Sequence, residues 1–253
     1  MQIKDTAVVI TGGASGMGAA TAKVLAKLGA KVSLFDLHLD AAKQVALECH
    51  GIAIQCDVTN TESVEAAFKE AAKQHGEARI CINCAGIVHS RRMVNQQGPM
   101  PLDEFRKVID VNLIGTYNVM RIAAHAMIPL PITGLEERGL IINTASVAAY
   151  EGQIGQTAYS ASKGAIVSLT LPAARELAQF AIRVMTIAPG LVDTPMFDKI
   201  PPEAKAQLAV SVPFPKRLAH PEEYASLVVH IIENAMLNGE VIRLDGALRM
   251  QPK

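Results

Sequence analysis

A tyrosine and a lysine four positions apart carry the strongest chemical signal in this sequence. Tyr159 and Lys163 belong to the segment Tyr-Ser-Ala-Ser-Lys, and this spacing puts both side chains on one face of a helix. A neighbouring ammonium favours phenolate over phenol, so we expect Lys163 to lower the pKa of Tyr159 towards the range of a general acid or base. Such pairs also occur on helix surfaces, and a simple surface contact is the alternative when the pair is considered alone.

A serine upstream of this pair adds a hydrogen-bond donor. Ser146 follows the apolar run 140–143, whose composition predicts a strand, and it precedes Tyr159 by thirteen residues. If this strand and the helix meet at one edge of a sheet, the Ser146 hydroxyl can donate to an oxygen on which negative charge develops. The three side chains together favour proton transfer to or from a substrate oxygen.

The glycine-rich segment after the first predicted strand has the form of a phosphate-binding turn. Gly12, Gly16 and Gly18 stand in Thr-Gly-Gly-Ala-Ser-Gly-Met-Gly, which opens directly into a predicted helix. Glycines permit a tight turn and let backbone N–H groups approach a pyrophosphate at the positive end of the helix. The spacing differs from the common G-x-G-x-x-G pattern, and a glycine turn without a ligand is the alternative.

An aspartate ends the second predicted strand, eighteen residues after Gly18. In a dinucleotide-binding fold this position faces the adenosine ribose, where a carboxylate accepts hydrogen bonds from hydroxyls and repels a 2′-phosphate. Asp36 therefore favours NAD over NADP as the cofactor. A solvated charge at the end of a strand is the alternative.

Predicted strands and helices alternate along the chain, which indicates right-handed crossovers and a parallel sheet. The strands are expected at 7–10, 31–35, 52–55, 79–82, 140–143, 183–187 and 240–244. The helices are expected at 18–28, 40–49, 61–74, 102–127, 158–180 and 221–233. We predict a doubly wound α/β fold with a seven-stranded parallel sheet in a single domain, residues 1–253. A (β/α)₈ barrel fits less well, because only seven strands are found.

Two segments interrupt this alternation, at residues 88–101 and at about 195–220. Both follow predicted strands, at the edge where an open parallel sheet binds its ligands. The second segment is rich in proline and apolar residues, including Met196, Phe197 and Ile200. It is predicted to form a substrate lid.

Composition excludes several classes of function. The 24 basic residues balance the 24 acidic ones, so no net charge attracts nucleic acid. The apolar runs are far shorter than the ~20 residues needed to span a bilayer, and the first residues enter a strand without room for a signal peptide. We expect a cytoplasmic protein that acts on a small molecule, with no nucleic-acid or membrane partner.

Cys81 and Cys84 form a C-x-x-C pair, which can indicate a metal or redox site. Cys81 lies in the predicted strand 79–82 and Cys84 follows it. In such an extended segment, residues three apart point to opposite faces with Cα atoms ~10 Å apart. A disulfide needs Cα atoms within ~7 Å. We expect packed, reduced thiols here and at Cys49 and Cys56, and no metal site.

Together these motifs resemble those of the short-chain dehydrogenase/reductase family. The resemblance rests on the T-G-x-x-x-G-x-G turn, the Tyr-x-x-x-Lys pair and Ser146, and it covers essentially the whole chain. It implies a Rossmann-type domain, an NAD cofactor and hydride transfer involving a secondary alcohol. It also implies that Ser146, Tyr159 and Lys163 are catalytic, and that Asn112 holds a water molecule in a proton relay.

The same resemblance implies a set of residues that bind the cofactor. They are Gly12, Ser15, Gly16, Met17, Gly18, Asp36, Asp57, Val58, Asn83, Cys84, Ala85, Gly86, Tyr159, Lys163, Pro189, Gly190, Val192 and Thr194. The family usually has asparagine at the position of Cys84, a departure expected to cost little because the contact there is made by the backbone. Family members that choose NADP tend to carry a basic residue where this chain has Ser15 or Leu37, which again favours NAD.

Residues 142–153, 213–218 and 238–247 resemble one branch of the family, which is NAD-linked, acts on 3-hydroxyacyl-CoA thioesters and is tetrameric. The resemblance implies an acyl-CoA substrate, and Arg91 and Arg92 are candidate contacts for its phosphates. A homotetramer is expected, formed through the apolar faces of helices 102–127 and 158–180. The alternatives are a 3-oxoacyl-carrier-protein reductase, a dehydrogenase for steroids or other alcohols, and an NAD-binding scaffold without catalysis.

Overall fold

The computed structural model describes residues 1–134, 136–195 and 201–252. Its strands are β1 Ala7–Thr11, β2 Lys31–Asp36, β3 Ile52–Gln55, β4 Ile80–Asn83, β5 Val94–Asn95, β6 Gly98–Pro99, β7 Gly139–Thr144, β8 Ile182–Pro189 and β9 Val241–Leu244. All but β5 and β6 form one parallel sheet in the order β3-β2-β1-β4-β7-β8-β9. The predicted doubly wound, seven-stranded fold is confirmed, and each predicted strand end lies within two residues of the observed one.

Helices lie on both faces of this sheet. They are α1 Gly16–Lys27, α2 Leu39–Glu48, α3 Thr61–His75, α4 Leu102–Ile109, α5 Thr116–Met127, α6 Thr157–Ala178, α7 Pro202–Ser211 and α8 Pro221–Glu233. A π-helical turn covers Asp110–Gly115 and a 3₁₀ turn covers Val147–Ala149.

The strands are apolar on both faces, so each strand contributes to two cores. In β1, Val8 packs on the face covered by α1 and α8, whereas Val9 packs on the opposite face with Phe68 of α3 and Val119 of α5. Because all seven strands run in the same direction, their carboxyl ends meet at one edge. The glycine turn after β1 and the segment after β7 both lie at this edge.

The helix predicted at 102–127 is helical throughout these residues, but it is not a uniform α-helix. α4 ends at Ile109, six residues of π-helix follow, and α5 begins at Thr116. Asn112 lies in the π-helical turn and is fully buried. The wider turn changes the helical period over a few residues only, which a hydrophobic pattern does not reveal, and such turns are frequent at functional sites.

The two segments predicted as loops contain regular structure. β5 and β6 form an antiparallel hairpin within 88–101, and α7 lies inside the predicted lid. The lid residues Met196, Phe197 and Ile200 fall outside the described residues. α7 has no fully buried residue, so it lacks the apolar face by which a core helix can be found in a sequence.

Candidate active site

The glycine turn between β1 and α1 leaves no space for side chains. Gly12 has a φ of +66°, and a Cβ there would lie 2.7 Å from the backbone nitrogen of Ala85. A Cβ on Gly18 would lie 2.2 Å from the carbonyl oxygen of Gly12. Because α1 begins at Gly16, the N–H groups of its first turn face the carboxyl edge of the sheet. This turn can therefore hold a pyrophosphate at the helix N-terminus.

Asp36 lies beside the glycine turn. Its Oδ2 accepts a hydrogen bond from the backbone nitrogen of Ala14 at 3.0 Å, and its Oδ1 accepts one from that of His38 at 2.9 Å. The carboxylate is thus fixed where the sequence predicts the adenosine ribose. Asp57 differs, because its Oδ1 is engaged locally by the backbone nitrogen and the hydroxyl of Thr59, at 2.9 and 2.7 Å.

Ser146, Tyr159 and Lys163 line one cavity of about 320 Å³ at the carboxyl edge. The predicted cofactor residues that also line it are Met17, Cys84, Gly86, Pro189, Gly190, Val192 and Thr194. The predicted site residues outside its lining are Gly12, Ser15, Gly16, Gly18, Asp36, Asp57, Val58, Asn83, Ala85 and Asn112. The structure therefore brings the three predicted catalytic side chains together with the predicted nicotinamide segment, and leaves the predicted phosphate and adenosine residues beyond the cavity.

Helix α6 presents the tyrosine and the lysine to this cavity. Lys163 is 5% exposed, and its Nζ lies 5.8 Å from the centre of the Tyr159 ring. The same Nζ donates a hydrogen bond to the carbonyl oxygen of Thr144, the last residue of β7, at 2.7 Å. Ser146 begins the 3₁₀ turn, and its Oγ accepts a hydrogen bond from the backbone nitrogen of Ala148 at 3.1 Å. This bond fixes the serine oxygen and leaves its hydrogen for another acceptor.

Burial controls the protonation of both groups. It raises the pKa of Tyr159 above its ordinary value, and a hydrogen bond with Ser146 partly opposes that increase. Burial also lowers the pKa of Lys163 from 10.5 to about 8. The expectation that Lys163 lowers the pKa of Tyr159 is wrong for this arrangement, because removal of the phenol from water dominates and the ammonium is directed towards Thr144.

Asn112 anchors the chain beside the cavity. Its amide nitrogen donates to the carbonyl of Ile87 at 2.9 Å and to the Oγ of Ser162 at 3.1 Å, and its oxygen accepts from the nitrogen of Ile87 at 2.8 Å. Gly86 passes between Asn112 and Lys163, since a Cβ there would lie 3.3 Å from Asn112 Oδ1 and 3.5 Å from Lys163 Nζ. The proton relay remains a prediction.

Other cavity residues belong to no sequence motif of the predicted site. They are Val88, Ser90, Gln156, Leu208 and Met250. The backbone nitrogen of Arg91 donates to the carbonyl of Gly155 at 2.9 Å, and that of Ile154 donates to the carbonyl of Pro252 at 3.0 Å. These bonds join three segments that are far apart in sequence. Val88, Ser90 and Leu208 lie in the two segments that the sequence predicts at the ligand-binding edge. No local signal could have identified Gln156 and Met250, because only tertiary pairing brings them to the cavity.

Glu104 of α4 binds two side chains of the loop after β4. Its Oε1 pairs with the guanidinium of Arg91, and its Oε2 pairs with the imidazole of His89. The predicted contact between Arg91 and a substrate phosphate would therefore require this ion pair to break. Arg92 is exposed.

The four cysteines are free, with Cys49, Cys56 and Cys81 buried and Cys84 half-buried. Over residues 1–134, 136–195 and 201–252, no three histidine, cysteine, aspartate or glutamate side chains are grouped as a metal site would require. None of the helices in these ranges combines the length and apolar character needed to cross a membrane.

Known proteins resemble the chain over nearly its full length. The family model for short chain dehydrogenases matches residues 6–205. The 3-hydroxyacyl-CoA dehydrogenase type-2 of Bos taurus is 50% identical over 256 residues, which cover 99% of this chain and 97% of that protein. The crystal structure of 3-hydroxyacyl-CoA dehydrogenase type-2 from Mycobacterium avium matches with a TM-score of 0.93 at 42% identity, over 98% of this chain and 97% of that one.

A second solved structure contains a nicotinamide cofactor. It is the 3-ketoacyl-(acyl-carrier-protein) reductase from Brucella melitensis complexed with NADH, which matches with a TM-score of 0.88 at 29% identity. The match covers 98% of this chain and 100% of that one.

Proposed function

We propose that this chain, which belongs to the short-chain dehydrogenase family and is an oxidoreductase, uses NAD to oxidise the secondary alcohol of a 3-hydroxyacyl-CoA thioester. One observation carries the proposal. Ser146, Tyr159 and Lys163 line the same cavity as Gly190 and Val192, so a proton-transfer group and the predicted nicotinamide segment face one space. The 50% identity to a 3-hydroxyacyl-CoA dehydrogenase supports the choice of substrate class.

The residues at the carboxyl edge fit NAD. The glycine turn leads into the N-terminus of α1 at Gly16, whose first N–H groups suit a pyrophosphate. Asp36 would bind the adenosine ribose, and its charge would repel a 2′-phosphate. Val192 and Thr194 would contact the nicotinamide end. When bound there, NAD supplies the acceptor for the hydride from the alcohol carbon.

Tyr159 is proposed to remove the proton of the alcohol. To accept that proton the phenol must first ionise. The hydrogen bond with Ser146 partly offsets the burial that raises the pKa of Tyr159, and the ammonium of Lys163 lies on the same face of α6, 5.8 Å from the ring centre. With substrate bound, Ser146 would donate its hydroxyl hydrogen to the substrate oxygen, which keeps that oxygen in place while charge develops on it. Asn112 keeps Gly86 beside Lys163.

The lining of the cavity suits an acyl chain. Val88, Val147, Leu191, Leu208 and Met250 give it apolar walls formed from separate segments. A sugar would require polar groups on all sides to bind its hydroxyls. Ser90, Gln153 and Gln156 border this cavity, but most of its lining surface is apolar. An apolar acyl group with one oxygen at Ser146 and Tyr159 fits this distribution of polar and apolar groups.

We also propose a homotetramer. Four large side chains on α4, the π-helical turn, α5 and α6 are 45–59% exposed, namely Leu102, Ile114, Tyr117 and Leu171. Exposed apolar residues on long helices favour association of identical subunits. Light scattering at micromolar concentration should give four times the chain mass, and a monomer mass would contradict this proposal.

A spectrophotometric screen for NADH formation tests the function. The panel contains 3-hydroxyacyl-CoA thioesters, hydroxysteroids and aryl alcohols, each offered with NAD and with NADP. We expect the thioesters with NAD to react fastest. A steroid preference would change the substrate class, and a preference for NADP would show that the role given to Asp36 is wrong.

Replacement of Asp36 by Ser together with Leu37→Arg tests the cofactor choice directly. The double variant removes the charge that repels a 2′-phosphate and adds one that attracts it. We expect weaker use of NAD and measurable use of NADP. Unchanged kcat/KM values for both cofactors would contradict the placement of the ribose beside Asp36.

A further inference from the structure

Strands β4 and β7 separate at the edge of the cavity, one residue before Thr144. If the hydrogen bonding between β4 and β7 continued by one more step, the backbone nitrogen of Ala85 would donate to the carbonyl of Thr144. Instead, this nitrogen donates to the hydroxyl of Thr11 at 3.2 Å, and the Thr144 carbonyl accepts the Lys163 ammonium at 2.7 Å. Lys163 thus satisfies a carbonyl that the sheet leaves free where its strands diverge.

The side chain of Thr144 is bound by a residue of α8. Tyr224 is 0% exposed, and its hydroxyl lies 2.7 Å from Thr144 Oγ1 and 3.6 Å from Cys84 Sγ. The Thr144 hydroxyl and the Cys84 sulfur are 3.7 Å apart. The three groups form a closed cluster that joins the ends of β4 and β7 to α8. Thr144 therefore bonds Tyr224 through its side chain and Lys163 through its backbone.

We propose that Tyr224 is a positioning residue for Lys163, and that it acts by fixing the Thr144 peptide whose carbonyl binds the ammonium. The inference rests on the proposed function, because it assumes that Lys163 takes part in the reaction. It also gives a reason for Cys84 at a position where the family usually has asparagine. A thiol is both a weak donor and a weak acceptor, so it can sit between two hydroxyls.

The groups that face the ammonium are neutral. They are Tyr159 on the same helix and Cys84 after β4. Tyr224 of α8 is connected to the ammonium only through Thr144. Burial raises the pKa of all three side chains. Within the described part of the chain, the Thr144 carbonyl is the hydrogen-bond acceptor of Lys163. The position of this carbonyl therefore affects how strongly Lys163 retains its proton.

Two substitutions test the proposal. Tyr224→Phe and Thr144→Val each remove one hydroxyl of the cluster and keep the shape of the side chain. Thr170→Val is the matched control. Thr170 lies on the same helix as Lys163 but outside the cavity lining, and its buried hydroxyl lies 2.7 Å from the hydroxyl of Thr186. Thr144→Ser keeps the hydroxyl, so its alkaline limb should stay closer to that of the unmodified protein than the limb of Thr144→Val.

We expect Tyr224→Phe and Thr144→Val to lower kcat/KM about fivefold, the effect of one net hydrogen bond, and to move the alkaline limb of its pH profile to lower pH. The limb moves down because an ammonium whose acceptor carbonyl is no longer held in place releases its proton more readily. The pH dependence of NADH binding, followed by fluorescence, should move in the same direction. Thr170→Val should lose stability without either change.

If both variants lose thermal stability as Thr170→Val does but keep the alkaline limb and kcat/KM, the cluster is only structural and the proposal is wrong. Should one of the two variants fail to fold, the other decides the question: a lowered alkaline limb supports the proposal, and an unchanged limb contradicts it. NADH binding is measured without turnover, so it still decides the question if no acyl-CoA is oxidised. Failure of this inference is thereby distinguished from failure of the proposed function.

Discussion

Two buried cations lie at opposite edges of the sheet and have very different surroundings. Arg183, near the amino end of β8, donates to the carboxylate of Glu137 at 2.7 Å and to four backbone carbonyls. Lys163, at the carboxyl edge, donates to a single carbonyl among the described residues. A buried charge is costly unless its hydrogen-bonding groups are satisfied. Removal of the extensively bonded arginine should therefore destabilise the fold, whereas the sparsely bonded lysine lowers stability and is available for chemistry.

The largest effect should come from Tyr159→Phe, which removes only the ionisable oxygen next to the sparsely bonded cation. General acid–base catalysis contributes ~10²–10⁴ in rate, and kcat should fall by that factor. NADH binding and the thermal unfolding temperature should stay close to those of the unmodified protein. Near-normal turnover would show that the proton is transferred elsewhere.

Arg183→Met tests the structural side of the comparison. This variant removes the guanidinium that pairs with the buried carboxylate of Glu137. The amino group of Met1 still contacts that carboxylate. Breaking a buried ion pair costs roughly 3–5 kcal/mol of unfolding free energy, and we expect a loss at the lower end of that range. Denaturant unfolding gives the value, and kcat of the folded fraction should change less than twofold. A loss below 1 kcal/mol would contradict the role given to Arg183.

Lys163→Met is the matched substitution at the other edge, and its effect on stability should have the opposite sign. The displacement of the Lys163 pKa from 10.5 to about 8 corresponds to a cost of roughly 3 kcal/mol at pH 7. The unfolded chain keeps this proton up to about 10.5, while the folded protein releases it above about 8. The cost is therefore greatest below pH 8 and is relieved as the pH rises from 8 to 10.5.

We expect the Lys163→Met variant to be inactive and more stable than the unmodified protein at pH 7. The difference in unfolding free energy should shrink as the pH rises towards 10.5. Urea unfolding at several pH values measures both quantities. A less stable variant at pH 7 would mean that the lysine is as well satisfied as the arginine.

The smallest effect is expected at an exposed cation. Lys205 of α7 pairs with Asp193 at 2.6 Å, and the two side chains are 31% and 46% exposed. Exposed ion pairs contribute about 0–1 kcal/mol and weaken with salt. Lys205→Met should raise KM for the acyl substrate about twofold at low salt and less at high salt, with kcat unchanged. A tenfold increase would show that this pair controls access to the cavity.

The difference between the two cations also explains how much the sequence could predict. Gly12, Gly18 and Tyr159 lie in short motifs whose geometry is local, so the turn and the helix that carries Tyr159 could be predicted from the sequence, whereas their proposed roles rest on the family resemblance. The shift in the pKa of Tyr159 could not be predicted, because its direction depends on burial by segments that are distant in sequence. Tyr224 and Met250 reach the site only through tertiary packing, and no pattern of neighbouring residues indicates this.

The central claim, an NAD-linked dehydrogenase for 3-hydroxyacyl-CoA thioesters, is tested most directly by kcat/KM for the reduction of acetoacetyl-CoA with NADH. The same protein is assayed with a non-thioester ketone and with NADPH as comparisons. We predict that acetoacetyl-CoA with NADH gives the highest value. A value for acetoacetyl-CoA orders of magnitude below that for the ketone would contradict the substrate assignment, and a higher value with NADPH would contradict the cofactor assignment.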